Sequence, residues 1–145
     1  MRVRPLDHAD IAHWIELRSE LWPEQSASEL DTEGRAGLVA DPPLIVFVAE
    51  VDGALAGFIE FGFRSVADGC VNSPAPYIEG WYVRQDSRRR GFGGALMRAV
   101  ETWCRERGYT ELGSNALVDN RLSRSAHVAL GFGEVETLVV FRKPL

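Results

Sequence analysis

The chain has 145 residues, 46% of them hydrophobic and 26% charged, with 16 Lys+Arg against 21 Asp+Glu and a formal net charge of −5. That length predicts one domain over 1–145, and the composition excludes disorder, collagen-like sequence and a disulfide scaffold. The charge is uneven: residues 1–80 carry 14 acids and 5 arginines, net −9, and residues 81–145 carry 7 acids and 11 bases, net +4. A chain so divided can offer an acidic surface to one ligand and a basic surface to another.

Val3 to Leu6 reads as a short first strand, and no apolar h-region precedes it, so no signal peptide is expected. Asp7 is an N-cap for a helix whose apolar face is Ile11, Trp14, Ile15, Leu17, Leu21 and Trp22, ending at Pro23. Ser26 or Ser28 caps a weaker helix through Leu38, interrupted by Gly34 and Gly37. Leu44 to Val51 and Leu55 to Arg64 are strands joined by the hairpin signal Asp52-Gly53. Ser65 to Pro76 reads as a loop, and Tyr77 to Val83 as a strand broken by Gly80, where a bulge or a close ligand approach is expected. Gly91 to Arg107 has helical spacing, Glu111 to Ser114 is a short strand, Ser123 to Leu130 a short helix and Val135 to Arg142 a final strand. The order predicts an α/β (α+β) domain with a mixed central sheet flanked by about four helices.

The longest apolar stretch, Leu44 to Ala49, falls far short of the ~20 residues a membrane span needs. Cys70 and Cys104 form no close pair and no metal spacing, and His8, His13 and His127 lie far from both in sequence, so no metal site is expected and the default location is cytoplasmic. Overall acidity and scattered aromatics argue against nucleic acid as a partner.

The most informative segment runs from Val83 to Leu96, a strand followed by Arg88-Arg89-Arg90, then Gly91-Phe92-Gly93-Gly94, then a helix. The first amides of a helix have no intrahelical partner and carry the positive end of its dipole, which suits a phosphate or pyrophosphate. No Lys-Ser/Thr pair follows, which excludes a Walker A loop, and Leu96 stands where a dinucleotide fingerprint needs glycine.

The pattern Arg88-x-x-Gly91-x-Gly93 resembles the acetyl-CoA pyrophosphate loop of the GCN5-related N-acetyltransferase (GNAT) superfamily, and the element order fits that fold across essentially the whole chain. Asn120 followed by Ala126-His127-Val128-Ala129-Leu130-Gly131-Phe132 is similar to the final helix of that superfamily. The resemblance implies acetyl-CoA as co-substrate, with no metal. It implies that the strand before the loop exposes the backbone of Trp81, Tyr82 and Val83 to the pantetheine arm, and that the Val83 N–H stabilises the oxyanion. Arg88, Arg89, Arg90, Gly91, Phe92, Gly93 and Gly94 would hold the pyrophosphate, with Asn120 completing the cofactor site. His127 stands where many members have a tyrosine that protonates the leaving thiolate, and it serves either as that acid or in packing. Glu79, one residue before Gly80, is the candidate base for the acceptor ammonium. Cys104 reads as core, which favours direct transfer in a ternary complex.

A narrower resemblance involves Leu17-Arg18-x-x-Leu21-Trp22-Pro23, the run Asp68-Gly69-Cys70 through Tyr77-Ile78-Glu79-Gly80-Trp81-Tyr82-Val83, and Gly131-Phe132-x-Glu134-x-Glu136 with Phe141-Arg142. Together these look like the short aminoglycoside 6'-N-acetyltransferases. That likeness implies an acceptor pocket including Trp22 and Glu79, with Gln25 where related enzymes often have histidine and Asn115 where they typically have aspartate. Loss of that aspartate shifts weight onto Glu79, with Asp119 and Glu60 as possible substitutes. The resemblance also implies a homodimer. Another small cationic amine, such as a polyamine or amino sugar, stays open as the acceptor, as does a non-catalytic acyl-CoA sensor.

Overall fold

In the computed structural model, which describes residues 1–145, four antiparallel strands lie in chain order: β1 (Arg2–Pro5), β2 (Ile45–Val51), β3 (Ala54–Arg64) and β4 (Ala75–Val83). Helices α1 (Ile11–Leu21), α2 (Ala27–Leu38) and α3 (Phe92–Glu106) complete one unit, Met1–Ser114. A second unit, Asn115–Leu145, contains α4 (Arg121–Ala129). No helix is long and apolar enough to cross a membrane.

Local chemistry sets most boundaries. Asp7 caps a 3-10 turn, His8–Asp10, through a capping box in which Asp10 returns a bond to the Asp7 amide, and the turn runs directly into α1. Ser26, not Ser28, caps α2 by accepting from the Glu29 amide at 3.1 Å. The Asp52-Gly53 turn joins β2 to β3 with both residues at positive φ, +49° and +78°, as a two-residue hairpin of the I′ type requires.

The register decides what each sheet face carries. Val46 pairs with Glu60 and Val48 with Phe58, which places these side chains on the face that packs against Trp14 and Leu17 of α1. On the opposite face Phe61 meets Trp103 of α3 edge to face at 5.2 Å, and Leu96, Met97 and Val100 of α3 are fully buried. Each such buried apolar side chain contributes about 1.5–3 kcal/mol.

Three sequence expectations change. β4 begins at Ala75, two residues earlier than expected, because it pairs with β3 as far as Ala75↔Arg64. The strand expected over 111–114 is reduced to one parallel bridge, Tyr77↔Gly113, which supplies the parallel element of the sheet. The last strand, expected over 135–142, is absent: Val135, Val139, Val140 and Phe141 are 75–90% exposed, and a strand forms only where its backbone finds a partner.

Candidate active site

The expected interruption of β4 is a bulge. Phe61 pairs with Ile78 and Glu60 with Gly80, so Glu79 is the extra residue, outside the ladder. The bulge places Glu79 and Gly80 in succession on the face that carries Glu60, Arg64 and Tyr77. Glu79 is exposed, whereas Tyr77, Ile78 and Gly80 around it are buried.

Gly80 is a site of close approach. A Cβ there would lie 2.8 Å from the outer edge of the Trp22 ring and 3.0 Å from Cγ of Glu60. The lack of a side chain therefore brings the Trp22 indole against the strand, next to Glu79. Gln25 stays near through its amide, which donates to the Trp22 carbonyl at 3.1 Å. Sequence-predicted Trp22, Gln25 and Glu79 thus share one region. Asn115 is exposed and belongs to the second unit.

Beneath this surface lies a buried polar cluster that motif reading did not resolve. Glu60, 1% exposed, accepts from Trp14 Nε1 at 3.1 Å and from Nε of Arg18 at 3.1 Å. Arg18 also donates to the Leu30 carbonyl, and its guanidinium lies 5.2 Å from the Trp14 ring centre and 5.1 Å from that of Trp22. Burial pushes the Glu60 carboxyl above its ordinary range, opposed by the charge and hydrogen bonds of Arg18 and the Trp14 N–H. Glu60 is therefore an internal partner of α1, not a substitute carboxylate at the surface. The signal available in the sequence was one acid within the apolar run Phe58-Ile59-Glu60-Phe61 and one arginine on the apolar face of a helix.

At the surface, Glu79 is held by a second arginine that the sequence reading missed. Arg64 Nε lies 2.8 Å from one Glu79 oxygen and its Nη2 2.7 Å from the other, a bidentate pair. The guanidinium sits 3.9 Å from the centre of the Tyr77 ring.

Beyond the bulge, β4 leads to the glycine-rich turn. The Arg84 amide donates to Ala56 on β3 at 2.9 Å. N–H directions alternate along a strand, so the Val83 N–H points away from β3. The Val83 carbonyl accepts from Arg88 Nε at 2.9 Å, and the Arg88 guanidinium lies 5.7 Å from the Tyr82 ring centre. Tyr82 in turn donates to Glu20 of α1 at 2.9 Å. Arg88 thus ties the turn to the strand, whereas the Arg90 guanidinium sits 5.3 Å from the Phe92 ring centre. Arg89 takes a positive φ of 60°, and Gly91 caps α3 at φ +83°, a conformation glycine adopts without strain. Gly91 has no side chain to cap the helix, so the amides of Phe92, Gly93 and Gly94 keep the open start that an anion fits. Trp81 packs beside this start, 3.3 Å from where a Gly93 Cβ would stand.

In the second unit, Asn120 caps α4 by accepting from the Ser123 amide at 3.1 Å. His127 Nδ1 lies 2.7 Å from the Ser123 carbonyl, which can only accept, so Nδ1 carries a proton. Such a ring donates from Nε2 only as imidazolium. The His127 ring also packs edge to face on Phe132 at 5.1 Å. Cys104 is 4% exposed, and burial pushes its thiol up to about 11, as expected of a core residue and not of a nucleophile.

Residues 11–132 match the acetyltransferase (GNAT) family. A relative named aminoglycoside N(6')-acetyltransferase type 1 from Klebsiella aerogenes is 41% identical over 146 residues, covering 99% of this chain and 96% of the relative. One of the same name from Serratia marcescens is 36% identical, covering 96% of both chains. Among solved structures, AAC(6')-Iy in complex with the bisubstrate analog CoA-S-monomethyl-acetylneamine is similar at TM-score 0.91 and 33% identity, covering 99% of this chain and 98% of that one. The apo AAC(6')-IG of Acinetobacter haemolyticus is similar at TM-score 0.91 and 32% identity, covering 100% and 99%. With an open helix start behind an outward-facing strand, a bulged carboxylate beside Trp22 and this family match, the chain belongs to the GNAT family of acetyltransferases.

Proposed function

We propose that this protein is an aminoglycoside 6'-N-acetyltransferase that uses acetyl-CoA. The observation that carries the reading is the bulge in β4, which turns the Glu79 carboxylate outward beside Trp22 on the strand that leads to the open start of α3. Full-length similarity to proteins named for this activity, including one bound to a CoA–aminoglycoside analog, supports it.

In this reading the pyrophosphate of acetyl-CoA lies on the amides of Phe92, Gly93 and Gly94, with Arg89 and Arg90 adding charge and Arg88 bracing the turn. The pantetheine arm runs along Trp81, Tyr82 and Val83, and the outward Val83 N–H polarises the thioester carbonyl. The acceptor ammonium loses its proton to Glu79. Its nitrogen lone pair then forms the C–N bond, and the tetrahedral oxyanion collapses with cleavage of the C–S bond. The departing thiolate takes up a proton, the part the family resemblance gives His127. Trp22 and Gln25 face the acceptor, a role the family resemblance also gives Asn115, and Asn120 caps α4, the helix the resemblance assigns to the cofactor. Residues 1–145 act as one GNAT domain, supported by a family match that crosses the boundary between the two units.

We also propose a cytoplasmic homodimer. The location is supported by the two free cysteines, Cys70 and Cys104, which suit a reducing compartment, and the dimer by the exposed apolar run Leu138-Val139-Val140-Phe141, which suits burial against a second copy. Sedimentation should give twice the chain mass, and a monomer after removal of residues 135–145; an unchanged mass after removal refutes this role for the segment.

The main test is acetyl-CoA consumption with tobramycin, kanamycin and spermidine. Turnover is expected with the aminoglycosides at kcat/KM well above that with spermidine. Preference for spermidine would make the protein a polyamine acetyltransferase, and CoA binding without turnover of any amine would make it a sensor.

A further inference from the structure

Glu79 is already occupied. Arg64, opposite Ala75 on β3, reaches along the sheet face to grip both Glu79 oxygens at 2.7–2.8 Å, with its guanidinium over the Tyr77 ring at 3.9 Å. Two carboxylates on this face therefore each have an arginine of their own, Glu60 with Arg18 in the interior and Glu79 with Arg64 at the surface. The two pairs differ in accessibility. Arg18 and Glu60 have 7% and 2% of their side chains exposed, whereas Arg64 and Glu79 each have 34%. The buried pair is fixed, because separating it strands a charge in the interior. The surface pair can exchange partners, because water and a competing cation reach both halves and an exposed ion pair is weak.

We propose that Arg64 is a specificity-determining residue, an internal cation that occupies Glu79 until a polycationic acceptor displaces it. The proposal rests on the reading that Glu79 faces the acceptor. A single ammonium offers Glu79 one charge and fewer donors than the bidentate guanidinium it would replace. A ligand with several ammonium groups adds interactions elsewhere on the acidic unit, and their sum overcomes the exchange. Arg64 thus filters against simple amines. Once displaced it keeps its place over Tyr77, where its charge stays satisfied by the ring and solvent.

The test is calorimetric titration of tobramycin and of glucosamine, a monoamine, into wild type, R64M, R64K and R64M/E79Q, together with acceptor and acetyl-CoA KM. Displacement predicts that R64M binds both amines more tightly, glucosamine about threefold, the scale of an exposed ion pair. R64K, which keeps a cation there, should stay near wild type, and R64M/E79Q should lose the gain. The KM for acetyl-CoA should not move. If R64M binds either amine no better, or more weakly with rescue by R64K, Arg64 only positions Glu79 and the proposal is overturned. Thermal melting of each variant reports folding separately. Absent acetylation of tobramycin by wild type would refute the functional reading alone, since the ratio of affinities between R64M and wild type still decides the role of Arg64.

Discussion

At the scale of single residues, the two arginine–carboxylate pairs on one sheet face have different tasks. Arg18 and Glu60 are structural, and an R18M variant is expected to lose about 3–5 kcal/mol in urea unfolding at pH 7, because Glu60 loses its cation in the interior and must either stay charged there or bind a proton. The pH dependence has a definite sign. Burial already raises the Glu60 carboxyl in the folded state, and removing Arg18 raises it further. The native variant then binds more protons than the unfolded chain, so its deficit should grow as pH rises above the ordinary carboxylate range and shrink near pH 4. A deficit that shrinks with rising pH would refute this. Gly80 makes a second prediction. A Cβ at Gly80 would stand 2.8 Å from Trp22, so G80A should raise acceptor KM severalfold through displacement of the indole, with little change in acetyl-CoA KM.

At the scale of elements, Arg4 binds both Asp10 and Glu50, tying edge strand β1 to the turn before α1 and to β2. The Arg4 hydrogen bond is the largest cause that holds the Asp10 carboxyl below its ordinary range. The stability it supplies is therefore present above about pH 4 and lost as pH falls through the lowered value. D10N should cost about 1 kcal/mol at pH 7, partly through the capping box, and should flatten the acid limb of stability. Equal acid sensitivity in D10N and wild type would exclude this contribution. The same scale shows where the sequence was legible. The hairpin at Asp52-Gly53, the cap at Ser26 and the glycine-led start of α3 are local signals, set by residues a few positions apart. Residues 111–114 and 135–142 have strand-like composition too, but pairing is decided by distant backbone, which a local pattern does not contain. Arg64 escaped notice for a related reason: its partner lies fifteen residues away, and only the β3/β4 register and the bulge bring the two together.

At the scale of the whole molecule, the acidic excess of residues 1–80 has internal structure. Of the five arginines there, Arg4, Arg18, Arg35 and Arg64 all pair with carboxylates, so the remaining acids set the net charge. Most of the acids flank no feature of the candidate site, and the part of the charge split that bears on chemistry narrows to Glu79 on one side and Arg88 to Arg90 on the other. The bulge adds a consequence for how such a protein can change over generations. Glu79 is the one residue of β4 that the ladder with β3 does not use, and its side chain lies outside the core. Its identity is therefore free to vary with almost no demand on the fold. A library randomised at Glu79 should keep melting temperatures clustered near the parent, with ΔΔG mostly within about 1 kcal/mol, while acetyl transfer falls sharply in members that lack a carboxylate there. The same library at Glu60 should yield few folded members. A single inserted residue thus lets this scaffold carry a reacting carboxylate whose replacement is felt in turnover and hardly at all in folding.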